Sequence, residues 1–128
     1  MIGVLLDTHA FLWYAVAPER IRPEVRHRID DADVSFVSAA SVWEIRTKYR
    51  IGKIPEAAAI AHRLPAVVAD LGLQPLAIEV PDGDLAGAFA APHRDPFDRM
   101  IAAQAINRGL ALVSNDAALD AFGVERVW

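Results

Sequence analysis

Ile2, Val4, Leu5 and Leu6 form an apolar run near the start of the chain, broken only by Gly3 and without polar alternation. Such a run suits a central parallel strand covered on both faces, not a strand with one wet side. It ends on Asp7, and Thr8 then offers its hydroxyl as N-cap to an apolar helix, His9 to Val16. Parallel strands need helical crossovers, so this junction directs the chain to an α/β architecture. It also sets a carboxylate at the carboxyl end of a buried strand, where open α/β sheets place their chemistry. Asp7 suits two roles at this point, a cap shared with Thr8 or a functional group.

The rest of the chain repeats the alternation. Pro23 to Asp30 reads as a charged helix and Val34 to Val37 as a second strand. A helix follows from Val42 to about Ile51, stopped by Gly52. Ala57 to Leu71 is expected to be helical with a break or fresh start at Pro65. Leu73 to Ile78 is a short edge strand because it contains Pro75. Pro81 to Ala90 is a small helix with Asp82 and Asp84 in its first turn. After the loop Ala91 to Pro96, a longer helix runs to Arg108 and ends at Gly109. Leu110 to Val113, Ala117 to Phe122 and Val124 to Trp128 read as strand, short helix and strand. Right-handed crossovers then give a parallel sheet with helices on both faces. There is no internal repeat, linker or second domain, and 128 residues suit one domain, 1–128, with one core.

Composition removes several classes. No apolar run approaches the roughly 18 residues of a membrane span. Ala15-Val16-Ala17 resembles a signal-peptide cleavage site, but a basic start is missing and Asp7 and His9 interrupt the apolar stretch. The absence of cysteine excludes disulfides and thiolate metal sites and fits a cytoplasmic protein. A net charge of −4 argues against holding nucleic acid by bulk positive charge. Setting four carboxylates aside as cation ligands, however, leaves 13 acids against 13 bases.

Four carboxylates occupy comparable places in this plan. Asp7 follows the first strand, Glu44 opens the helix after the second, Asp98 opens the long helix, and Asp116 follows the strand ending at Val113. The carboxyl ends of parallel strands share one edge, so these groups can converge. Each also has a local reading. Ser41 and Glu44 have the form of a capping box, and Asp116 suits a cap for the last helix. Asp95 before Pro96 is a good N-cap. Asp98 shares a helix face with Ile101, Ala102 and Ala105, the sheet-facing side, where an unpartnered carboxylate is costly. Asp98 is therefore the better ligand, and Asp95 a cap or supporting group.

Converging carboxylates repel, and a hard divalent cation removes the repulsion. Mg²⁺ takes oxygen ligands and works through a few carboxylates plus substrate phosphate, and two ions can flank a phosphodiester displacement. His9, His27, His62 and His93 lack the spacing of a zinc site. Arg46, Lys48, Arg50, Lys53, Arg94 and Arg99 are candidate phosphate contacts, or a solvated helix face. Lys48 lies one turn after Glu44 and is placed to pair with it when no metal is bound. Trp13, Trp43 and Trp128 read as core or dimer surface in preference to base-stacking platforms.

LLDTHAFLW, VSAASVWEIRTKYRIGKI, LPAVVADLG, HRDPFDRMIAAQA and LALVSNDAALDAFGV occur in this order across essentially the whole chain. Together they resemble a PIN-domain ribonuclease of the VapC toxin type. The resemblance implies an α/β/α sandwich around a five-stranded parallel sheet and an Mg²⁺- or Mn²⁺-dependent endoribonuclease. It places the acidic cluster on Asp7, Glu44, Asp98 and Asp116, with Thr8 and Ser114 as hydroxyls beside the metal. It further implies in-line attack of water on an RNA phosphodiester leaving a 5′-phosphate, a VapB-type antitoxin partner and a homodimer.

Two other classes compete. A phosphohydrolase with an aspartyl nucleophile, of the haloacid-dehalogenase kind, also uses a strand ending in Asp. It requires a second Asp two residues on, where this chain has His9. A non-catalytic PIN-like or receiver-like module would bind a partner through the same pocket, since fold alone does not dictate activity.

Overall fold

The computed structural model describes residues 2–128; Met1 lies outside the described residues. Strand β1 (Gly3–Leu6) is the centre of a five-stranded sheet in the order β3-β2-β1-β4-β5, with every pairing parallel. The others are β2 (Val34–Ser38), β3 (Gln74–Leu76), β4 (Ala111–Val113) and β5 (Arg126–Val127). The expected α/β class and five-stranded parallel sheet are both found.

The lack of alternation in β1 has a direct cause. Val4 and Leu6 join one apolar core, while Leu5 joins a second on the opposite face. The first core contains Phe11 and Leu12 of α1 (Thr8–Val16), Val25 and Ile29 of α2 (Pro23–Asp31), and Val67 and Val68 of α4 (Leu64–Asp70). The second contains Ile101, Ala102 and Ala105 of α6 (Pro96–Arg108), with Leu112, Leu119 and Phe122. A fully buried side chain of this kind stabilises by about 2 kcal/mol relative to exposure. Gly3 is required by close approach, since a Cβ there would meet Leu110 Cδ2 at 2.8 Å.

The chain runs outward from β1 through β2 to β3, then crosses back to β4 on the other side of β1. Between β3 and β4 come α5 (Val80–Ala88) and α6, which pack on each other. That reversal opens the crevice at the carboxyl ends of β1 and β4. Helix α3 (Ala39–Arg50) and α6 flank it. A buried link fixes α6 against the sheet: Ser38 Oγ donates to Gln104 Oε1 at 2.5 Å, and Gln104 Nε2 donates to Ala77 O at 3.2 Å.

The expected helix 57–71 is shortened to a 3₁₀ turn at Pro55–Ala57, further turns, and α4. Pro65, in the first turn of α4, starts a helix instead of interrupting one. Ala117–Phe122 is 3₁₀. Gly109, at φ 63°, ends α6 as its sequence position suggests.

Candidate active site

β1 runs out at Asp7, whose backbone N–H donates to Val113 O at 3.0 Å, so the carboxylate stands where β1 and β4 both end. Asp7, not Thr8, is the N-cap of α1, and its Oδ1 accepts the Ala10 N–H at 2.8 Å. The helix starts one residue earlier than expected because a carboxylate at the strand end satisfies its free N–H groups directly. Thr8 is therefore inside the first turn and buried. Its hydroxyl donates to Glu44 Oε1 at 2.5 Å and stands 3.1 Å from Ser41 Oγ.

The capping box expected of Ser41 and Glu44 does not form. β2 ends at Ser38, which caps α3 by accepting the Ala40 N–H at 2.9 Å. Ser41 and Glu44 then fall within the helix, and Glu44 is only 2% exposed. Its partners are Thr8 and Lys48, whose Nζ donates to Oε2 in an ion pair one helical turn long. The same ammonium lies 3.7 Å from Asp95 Oδ2. Burial works against the Lys48 charge, but the Glu44 hydrogen bond and the nearby Asp95 and Asp98 outweigh it and hold its pKa above the ordinary value.

Asp95 caps α6 as expected, its Oδ1 accepting the N–H groups of Phe97 and Asp98 at 2.9 and 3.2 Å. Asp98 lies at the rim of the face it shares with the buried Ile101, Ala102 and Ala105, and accepts from His93 Nε2 at 2.8 Å. Burial raises the Asp98 carboxyl above its usual range. The His93 bond opposes this, and the charges of Asp95 and Glu44 add to it. Asp7 is pushed up further, to about 6, chiefly by burial; Ser114 and the Ala10 N–H pull down, and Asp98 pushes up.

Asp7, Glu44 and Asp98 thus stand within one electrostatic neighbourhood, with Thr8, Ser114, Asp95 and Lys48 around them. Asp116 is the outer member. It is exposed, its N–H donates to Ser114 Oγ at 3.0 Å, and its Oδ1 caps the 3₁₀ helix through Ala118 N–H. Among the described residues no three His, Asp or Glu side chains close into a preformed metal cage. The donors are nevertheless all hard oxygens, short of positive charge, with one ammonium among them. That set fits a hard divalent cation and not a soft one.

Other assignments change. Arg99 is engaged within the fold: its guanidinium donates to the carbonyls of Ala86, Phe89, Ala91 and His93 at 2.7–2.9 Å, clasping the loop that carries His93 and Asp95. Arg46 turns to Ala61 O and His62, whereas Arg94 is exposed. Trp13 and Trp128 pack together with ring centroids 5.7 Å apart, but Trp43 is 60% exposed and not core. Sequence reasoning missed His93 and Ser41. His93 lies five residues before Asp98 across a loop, with no helical spacing to mark it.

A five-stranded parallel sheet whose carboxyl edge gathers acidic side chains around a single ammonium defines an α/β protein with an acidic crevice at its strand ends. The chain belongs to the PIN domain family, whose profile matches residues 4–125. It is similar to "Ribonuclease VapC22" of Mycobacterium tuberculosis (strain ATCC 25618 / H37Rv), 31% identical over 125 residues, 93% of this chain and 91% of that protein. In fold it resembles DNA-bound VapBC from Salmonella typhimurium, with a TM-score of 0.73 at 21% identity over 99% of this chain and 98% of that one. It also resembles FitAcB from Neisseria gonorrhoeae, with a TM-score of 0.65 at 21% identity over 98% and 96%.

Proposed function

We propose that this protein is a divalent-metal-dependent endoribonuclease toxin of the VapC type. The observation carrying the reading is the meeting of Asp7, Glu44 and Asp98, from three distant segments, in a neighbourhood where burial, with the adjacent carboxylates adding to it, raises Asp7 and Asp98. Those three would hold Mg²⁺ or Mn²⁺, with Asp116 completing the set through the oxygen not used in capping. When bound, the cation supplies charge neutralisation at the scissile phosphate and acidifies the attacking water.

The chain's own residues supply position. Thr8 fixes the Glu44 carboxylate, and Ser114 supports Asp7. Asp95 and the Arg99 clasp set the loop that aims His93 at Asp98. Lys48 neutralises Glu44 and Asp95 in the metal-free protein and becomes available to a substrate phosphate when a cation takes over that task. Arg94, exposed beside the same loop, is the second candidate phosphate contact.

The partner is a VapB-type antitoxin and the assembly a homodimer. The likeness to VapC22 and, in fold, to VapBC supports this reading. No helix among the described residues is long and apolar enough to cross a membrane.

The test is cleavage of a mixed RNA pool with Mg²⁺ or Mn²⁺ and with EDTA. Cleavage is expected only with metal, and Asp7→Asn and Asp98→Asn are expected to abolish it. Cleavage that survives EDTA, or either substitution, contradicts the reading. A covalent phosphoryl adduct on Asp7 would point to the aspartyl-nucleophile alternative.

A further inference from the structure

We propose that Trp43 and Phe97 form a stacking platform for an unpaired base of the RNA strand whose phosphate lies at the carboxylates. The inference rests on the nuclease reading and names the contact that reads its substrate. Trp43 immediately precedes Glu44 in the second turn of α3, and Phe97 immediately precedes Asp98 in the first turn of α6, so each aromatic rises beside one of the acids. Their rings meet edge-on, with centroids 4.8 Å apart and planes at 71°. That geometry braces the indole without covering it, and Trp43 remains 60% exposed. The Lys48 ammonium lies 5.6 Å from the Phe97 centroid, so aromatic surface, cation and carboxylates are contiguous.

Three physical arguments favour a base as the occupant. Single-stranded RNA is recognised largely by stacking its bases on aromatic side chains, at about 1–3 kcal/mol per base. A chain of net charge −4 draws little affinity from bulk attraction to phosphate, so non-ionic contacts must carry more of the binding. The open part of the indole is on the order of 150 Å². That area suits one stacked base.

The experiment uses the full chain with Asp7→Asn, which is expected to bind RNA without cutting it. A fluorescein-labelled single-stranded RNA octamer of mixed sequence is titrated in Mg²⁺ and followed by anisotropy and by tryptophan emission. RNA is expected to quench the emission, because Trp43 is the exposed tryptophan. Adding Trp43→Ala should weaken binding by about tenfold or more and abolish the quench, while Trp43→Phe should keep most of the affinity. An abasic octamer should lose the difference between Trp and Ala. Equal affinity of the Trp and Ala proteins overturns the proposal. So does sedimentation showing that Trp43→Ala dissociates a dimer while RNA affinity is unchanged, which would assign the pair to a second copy of the chain. Either result leaves metal-dependent cleavage by the unsubstituted protein standing, so failure of the platform is distinguishable from failure of the nuclease reading.

Discussion

Two buried aspartates in this protein have opposite fates. Asp82, 1% exposed in the first turn of α5, accepts from Arg108 at 2.8 and 3.0 Å, from Asn107 at 3.0 Å and from the Glu79 N–H at 2.8 Å. Burial alone would raise its pKa, but these partners outweigh burial and lower it to about 2. Asp7 is 7% exposed and has one backbone N–H and a serine, with no salt-bridge partner among the described residues, and it rises to about 6. The first is a completed ion pair that ties α5 to α6. The second is a carboxylate buried without its counter-charge. Folds keep such groups where another ligand supplies what the protein withholds.

Breaking the completed pair should have the largest effect. Asp82→Ala takes the buried ion-pair partner from Arg108 and removes the acceptor of four hydrogen bonds, and we expect a loss of about 3 kcal/mol, or roughly 10 °C in Tm, by calorimetry. RNA cleavage below the melting transition should be unaffected. Asp7→Asn should act in the reverse direction. It keeps an N-cap acceptor and removes a strained charge, so metal-free stability at pH 7 should rise by about 2 kcal/mol while cleavage disappears.

The two sites also predict opposite pH profiles in metal-free protein. The folded pKa of Asp7, about 6, lies above its ordinary 3.8, so the folded state keeps a proton that the unfolded state releases. The Tm advantage of Asp7→Asn should therefore be absent below pH 4, grow between pH 4 and 6, and stay constant above. Asp82 lies below 3.8, so its stabilisation should be complete at pH 7 and fade only as pH falls from 4 toward 2. The smallest effect is expected from Lys48→Met, which removes the ammonium from the 3%-exposed Glu44 side chain. It should cost about 1 kcal/mol without metal, with the deficit narrowing as Mg²⁺ is added, measured by thermal melts.

The functional half of this contrast is much easier to read in the sequence than the structural half. β1 betrays itself by an apolar run without alternation, and Asp95-Pro96 announces a helix start, because both are local rules. Asp7 and Asp116 follow from strand order, since parallel strands deliver their ends to one edge, and Glu44 and Asp98 from the helices that start beside that edge. Asp82 looked like an ordinary first-turn acid, because its partner Arg108 is 26 residues away and no local pattern reports that distance. Arg99 looked like a free cation for the same reason: its acceptors are backbone carbonyls, which every residue has. The α3 cap slipped by three residues because Ser38 and Ser41 are chemically alike, and only the length of β2 chooses between them.

The central claim is that Asp7 belongs to a pocket completed by a divalent cation. The most direct measurement is the Tm of EDTA-treated protein titrated with Mg²⁺ or Mn²⁺, beside Asp7→Asn. The unsubstituted protein should start lower and rise steadily with metal, while Asp7→Asn starts higher and stays flat. Equal responses in the two proteins, or no response in either, would contradict it.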